Sequence, residues 1–257
     1  MYRGVILGLA SVFIGLLFTG CSKSLNKDFT LQATAYDGRV KVFGADVKGS
    51  LESLRKKMGT SPNASVALGR TLSVAAMLAS EQNKGESTIV EVDCNGPIGG
   101  VAVTVTAGGK VVGSVKNANV ELDLNDEGKF SESKTIGSGA IIVSKVSDKG
   151  VLSKKSSPIV SGEMGDDFSN YLAKAENTPA AVIVGEQIDI DNSIMVSGGI
   201  IVEIVGKLSD EELVELEDKV DQMEPISSQL MRKESIQTII EKLMGPIVVI
   251  EKKDIFI

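Results

Sequence analysis

Apolar and polar residues alternate on both sides of Asp37-Gly38 in "FTLQATAYDGRVKVFGADV", residues 29 to 47. A period of two around an Asp-Gly pair predicts a β-hairpin. The period then changes. Leu51, Leu54 and Met58 stand at helical spacing in a short basic segment ended by Gly59, and a second helix is predicted after Pro62, from about 64 to 82. Val66, Leu72, Ala75, Ala76 and Leu78 are its core candidates, and Arg70 in "ALGRTL" is expected to hold a structural ion pair. From Ser87 to Val146 strand follows strand, with breaks at "NGPIGG" and "AGG", so antiparallel sheet is expected.

After residue 206 the pattern turns helical again. Ser209 and Glu212 make a capping box, and Leu213, Leu216, Val220 and Met223 form one apolar stripe. Ile236, Ile239, Ile240, Leu243 and Met244 form a second, ended by Gly245 and Pro246. Two such helices cannot bury their apolar faces alone; they must dock on the sheet domain or on something else. The last residues, "IVVIEKKDIFI", read as a strand-like stub. The fold class is therefore α+β: an antiparallel β-sheet domain with flanking helices, followed by a helical linker.

The chain opens with a different pattern. Arg3 precedes an apolar run from Gly4 to Phe18, then Thr19 and Gly20 lead into Cys21 and a polar stretch. That is the order of a secretory signal, shorter than a membrane span needs. Small residues before a cysteine resemble a bacterial lipobox, which makes Cys21 a lipidation site and the product an anchored lipoprotein outside the cytoplasm. Two alternatives stay open: a buried helix with an incidental cysteine, and translation starting near Leu25, which would leave the protein cytoplasmic. The boundaries expected are a signal-like segment at 1–20, a polar tether at 21–28, a sheet-rich core at 29–206, the linker at 207–245 and the stub at 246–257.

Composition narrows the chemistry. The 257 residues carry a net charge of -7, which disfavours a nucleic-acid partner; the one dense basic cluster, Arg55, Lys56 and Lys57, is short. Histidine is absent, which removes imidazole-based triads and proton shuttles and nearly all catalytic zinc sites. The two cysteines cannot form a four-thiolate metal site, and Cys94 reads as a small packing residue at a strand edge. The glycines match neither a P-loop nor a dinucleotide fingerprint and read as turns. Glu163, Asp166 and Asp167 are expected near the start of a helix beginning at Ser161 or Gly162, where they face its dipole. Their alternative readings are an acid-base pair or a metal cluster, with no cationic partner evident in the sequence. The expectation is a non-enzyme with no cofactor and no metal.

Several blocks taken together, "ATAYDGRVKVFGAD", "SVALGRTL", "NGPIGG", "PIVSGEMGDDFSNYLAKAENTPAAV" and "DNSIMVSGGIIVEI", resemble the 33 kDa chaperonin family, the redox-regulated heat-shock holdases, from about Phe29 to Ile250. The resemblance implies a sheet domain, a helical linker and a C-terminal zinc domain with four cysteines that exchange zinc for disulfides under oxidation. It also implies unfolded protein clients captured without ATP, and dimerisation when active. This sequence departs from that plan: it stops at Ile257, about where the zinc domain would begin, and neither cysteine lies beyond Cys94. The zinc and disulfide switch is therefore not expected. The expected function is a holdase whose client-binding residues are Leu213, Leu216, Val220, Met223, Ile236, Ile239, Ile240 and Leu243. A membrane-anchored scaffold with the same fold, a truncated gene product, and a hydrolase using the three acids are the alternatives.

Overall fold

The computed structural model describes residues 27–123, 128 and 130–257. The leader and Cys21 lie outside the described residues. Strands β1 (Phe29–Ala35) and β2 (Val40–Asp46) form the expected hairpin, with Ala35 opposite Val40 and Phe29 opposite Asp46. Its turn carries Tyr36, Asp37 and Gly38 at φ of 51°, 54° and 82°, a left-handed path that Asp-Gly tolerates at little steric penalty.

Helix α1 (Lys48–Met58) begins where the Asp28 carboxylate accepts the N–H groups of Gly49 and Ser50, at 2.8 and 2.5 Å, and ends on left-handed Gly59. Helix α2 (Pro62–Ala79) starts two residues earlier than the hydrophobic pattern indicates. Ser61 caps it and Pro62 occupies the first turn, where its missing N–H has no partner to lose. Ser80 ends it, its hydroxyl donating to the Met77 carbonyl at 2.6 Å. Fifteen of its eighteen residues are buried. A helix apolar on every side belongs between two layers, and α2 lies in contact with both sheets.

The first sheet has the order β10-β1-β2-β9-β8, and the second β5-β4-β3-β6-β7; every pairing within them is antiparallel. In the second sheet, β3 (Ser87–Cys94), β4 (Gly100–Thr106), β5 (Val111–Val115), β6 (Gly139–Ser147) and β7 (Gly150–Pro158) turn Val90, Val92, Val101, Val103 and Ile141 towards the core. A short helix, α3 (Glu132–Ile136), interrupts this run; five residues give too little periodicity to announce it.

Helix α4 (Met164–Ala175) starts later than expected, because the buried Asp167 carboxylate turns back and accepts the N–H groups of Val160, Ser161 and Gly162, holding them in a loop. Strands β8 (Ala180–Ile188) and β9 (Ile194–Ile204) complete the first sheet. Phe43, Ala45, Val182 and Ile201 on its inner face join the α2 core.

The C-terminal third lies on the outer face of that same sheet: α5 (Asp210–Asp221), α6 (Ile226–Met231) and α7 (Ile236–Met244), then β10 (Val248–Asp254). The expected stub is β10, paired with β1 from Phe29↔Asp254 to Thr34↔Val248. Beyond it Phe256 donates its N–H to the Gly109 carbonyl and accepts from Val111 N–H, tying the end of the chain to the second sheet. Residues 248–254 are thus the edge strand of the first sheet.

Candidate functional site

A β-sheet with apolar residues on both faces needs two covers. On its outer face the first sheet presents Leu31, Ala35, Val40, Val42, Ile200 and Val202, all buried beneath the C-terminal helices. Of the eight residues expected to bind clients, Leu216, Ile236, Ile239, Ile240 and Leu243 are buried in this layer, and Leu213, Val220 and Met223 are half-buried. The sequence reading missed Ile226 and Leu230, which α6 adds to the same cluster. Their i, i+4 spacing after Pro225 was the available signal, in a helix of only six residues.

The helices sit on glycines. A Cβ built at Gly44 in β2 would overlap the Ile236 side chain, one at Gly185 in β8 would lie 3.0 Å from Ile226, and one at Gly198 in β9 would lie 3.3 Å from Leu230. Gly44 and Gly185 each provide a seat for a branched side chain and bring a helix down onto the sheet, whereas a Cβ at Gly198 would first meet the Ala45 carbonyl oxygen of the neighbouring strand, at 2.4 Å. Within strands, glycine marks close approach.

Polar clamps hold the rim. The Arg39 guanidinium, next to the β1–β2 turn, grips Glu212 of α5 with two bonds of 2.6 and 2.7 Å and also donates to the Tyr36 carbonyl. Glu212 doubles as the N3 residue of the expected capping box with Ser209. Arg39 and the Ser209 N–H hold its carboxyl down at about 2. Within the cover itself, Arg232 grips Glu224 at 2.5 and 2.7 Å and Glu234 accepts from Arg232 and Lys242, bracing α6 and α7 against each other. Helix α5 is the least committed of the three, with Leu216 as its one buried residue.

The three candidate acids do not converge. Asp166 is exposed, Asp167 serves its loop, and Glu163 lies 3.5 Å from Arg70, the cationic partner that the sequence did not reveal. Among the described residues no group of three His, Cys, Asp or Glu side chains is arranged to hold a metal ion. The basic trio of α1 is partly neutralised, Arg55 and Lys56 both pairing with Glu52. Cys94 ends β3 half-buried against the core, and burial pushes its thiol up.

This geometry defines a class: a two-sheet α+β protein that covers the outer face of one sheet with its own C-terminal helices. The family model described as Hsp33 protein matches residues 28–256. The chain belongs to that family. It is 34% identical over 220 residues to the 33 kDa chaperonin of Bacillus subtilis, covering 85% of this chain and 75% of the relative. To that of Staphylococcus epidermidis it is 33% identical over 223 residues, covering 86% and 76%. The crystal structure of the 33 kDa chaperonin of Thermotoga maritima superposes with a TM-score of 0.82 at 29% identity, covering 89% of this chain and 79% of that one. These family matches support a chaperone and stress-response role, and the relatives carry the name of a non-enzymatic protein. The fold expected from the sequence, α+β with antiparallel sheets and flanking helices, is the one found.

Proposed function

We propose that the chain is an ATP-independent holdase: the segment from α5 to α7 lifts off the glycine-seated sheet face, and the apolar surface so uncovered holds unfolding proteins before they aggregate. The observation that carries this reading is the joint itself, a continuous apolar layer seated on Gly44 and Gly185 and tied to the sheet at its rim by the half-exposed Arg39–Glu212 pair. Lifting it would expose Leu213, Leu216, Val220, Met223, Ile236, Ile239, Ile240 and Leu243 opposite Val40, Val42, Ile200 and Val202. Contiguous apolar patches of this kind mark protein interaction sites.

In this proposal thiol chemistry plays no part in control. Docking strength and temperature set the exposure. Lipidation at Cys21 would place the activity at a membrane surface outside the cytoplasm; the mass of the mature N-terminus tests that separately.

The test is light scattering from a thermally unfolding client with the protein in stoichiometric excess. Native protein is expected to suppress aggregation on heating. In Gly44→Val the new side chain collides with Ile236 and wedges α7 away, so suppression is expected at a lower temperature. Absence of suppression by both proteins at excess contradicts the proposal.

A further inference from the structure

Arg70 is the one cation of a cluster built by four separate elements. From α2 its guanidinium bonds to Glu132 of α3, lies 3.3 Å from Glu186 of β8, and lies 3.5 Å from Glu163 at the start of α4. The Glu132 and Glu186 side chains are 1% and 0% exposed, whereas Glu163 is 47% exposed and solvated. Besides these charges, Ser197 of β9 donates its hydroxyl to Glu186, the Met164 N–H donates to Glu132, and α1 contributes only the apolar Leu51 near Gly69 and Glu186. Gly69 makes room for the arrangement: a Cβ there would lie 2.9 Å from both Cγ and Oε1 of Glu186.

The charge count does not close. One guanidinium faces two fully buried carboxyls, and a second buried negative charge has no partner to offset its desolvation; such a group takes up a proton instead. Glu132 Oε1 is the atom that shows the deficit, since it is buried without any hydrogen-bond partner.

We propose that the Arg70–Glu132–Glu186 cluster is a proton-holding clasp that joins β8 to α2 and α3 at neutral pH, and that loss of its proton on alkalinisation loosens β8. That strand carries Gly185, the seat of Ile226, on its other face. The clasp does not depend on the holdase reading. Burial raises both carboxyls, Glu132 to about 8 and Glu186 to about 7, and the pair shares the retained proton. The sign follows from linkage: the folded state binds a proton that the unfolded state, with an ordinary value of 4.5, has already released. Stability contributed by that proton is full below 4.5 and declines as pH rises to about 8. For one proton the unfolding equilibrium constant rises about tenfold per pH unit through that window.

The experiment compares the full chain with Glu132→Gln and Glu186→Gln by thermal melting from acid to alkaline pH, with infrared difference spectra of the native chain. A protonated-carboxyl band at neutral pH that disappears on alkalinisation is expected, with a Tm that falls with pH in the native chain and less steeply in at least one variant. Exchange at the backbone amides of 180–188 should rise over the same range. A native chain with no protonated-carboxyl band at neutral pH, or with the same pH slope as both variants, overturns the clasp. Because burial also raises the Glu203 carboxyl to about 7, the spectra are repeated in a Glu203→Gln chain; if neither clasp variant folds, the band left in that chain decides.

Discussion

One sheet, two covers: helix α2 packs on its inner face and helices α5 to α7 on its outer face, and the two differ in how firmly the sequence commits them. Fifteen of the eighteen residues of α2 are buried, between two sheets. In α5 one of twelve is buried, in α6 three of six and in α7 five of nine, and beyond them lies solvent. A helix gripped from both sides opens only when the domain unfolds. A helix gripped from one side can open on its own, and local opening free energies range from near zero to the global value. A single apolar cluster can therefore be core at rest and, in the function proposed above, a binding surface under stress.

The largest effect is expected on the inner cover. Leu72→Ala removes a fully buried side chain from α2 and should cost about 2–5 kcal/mol of global stability, seen as a lower denaturation midpoint with the whole domain unfolding together. On the outer cover, Ile240→Ala also empties a fully buried site, but its effect is bounded by the free energy of docking. Exchange should rise across 209–244 while α2 stays protected, and aggregation suppression should begin at a lower temperature. Equal loss of protection in both regions would erase the distinction between the covers.

A smaller effect belongs to the rim. Arg39 holds the Glu212 carboxyl below its ordinary value of 4.5, at about 2. A depressed carboxyl contributes stability that is present above its unfolded value and lost as pH falls towards its folded one. Protection of α5 should therefore decline between about pH 5 and about pH 2, and Arg39→Ala should reduce that pH dependence, leaving the part due to the Ser209 N–H. Because the pair is half-exposed, salt should weaken it as well.

Much of this architecture was legible in local pattern. Asp37-Gly38 announced its hairpin, Ser209 with Glu212 announced the start of α5, and the stripes of α5 and α7 marked the faces that dock. What escaped was short or distant. Helices α3 and α6 run five and six residues, less than two turns of periodicity. The partners of Arg70 lie 62 and 116 positions away along the chain, a pairing that no local window contains. The seats at Gly44 and Gly185 were visible as residues but not as seats, since what packs on a strand glycine is known only once the element above it is placed. Asp167 showed the reverse: its place near a helix start was legible, while its bonds to the loop before it were not.

The central claim is that the outer cover opens separately from the inner one. Hydrogen exchange followed by mass spectrometry during a temperature ramp below the melting transition tests it most directly, read at 209–244 and at 62–79, with and without an unfolding client. Segment 209–244 is expected to lose protection first, while 62–79 remains closed, and added client to alter exchange in 209–244 and along β2 and β9. Simultaneous loss of protection in both segments, with no effect of client on either, would contradict it.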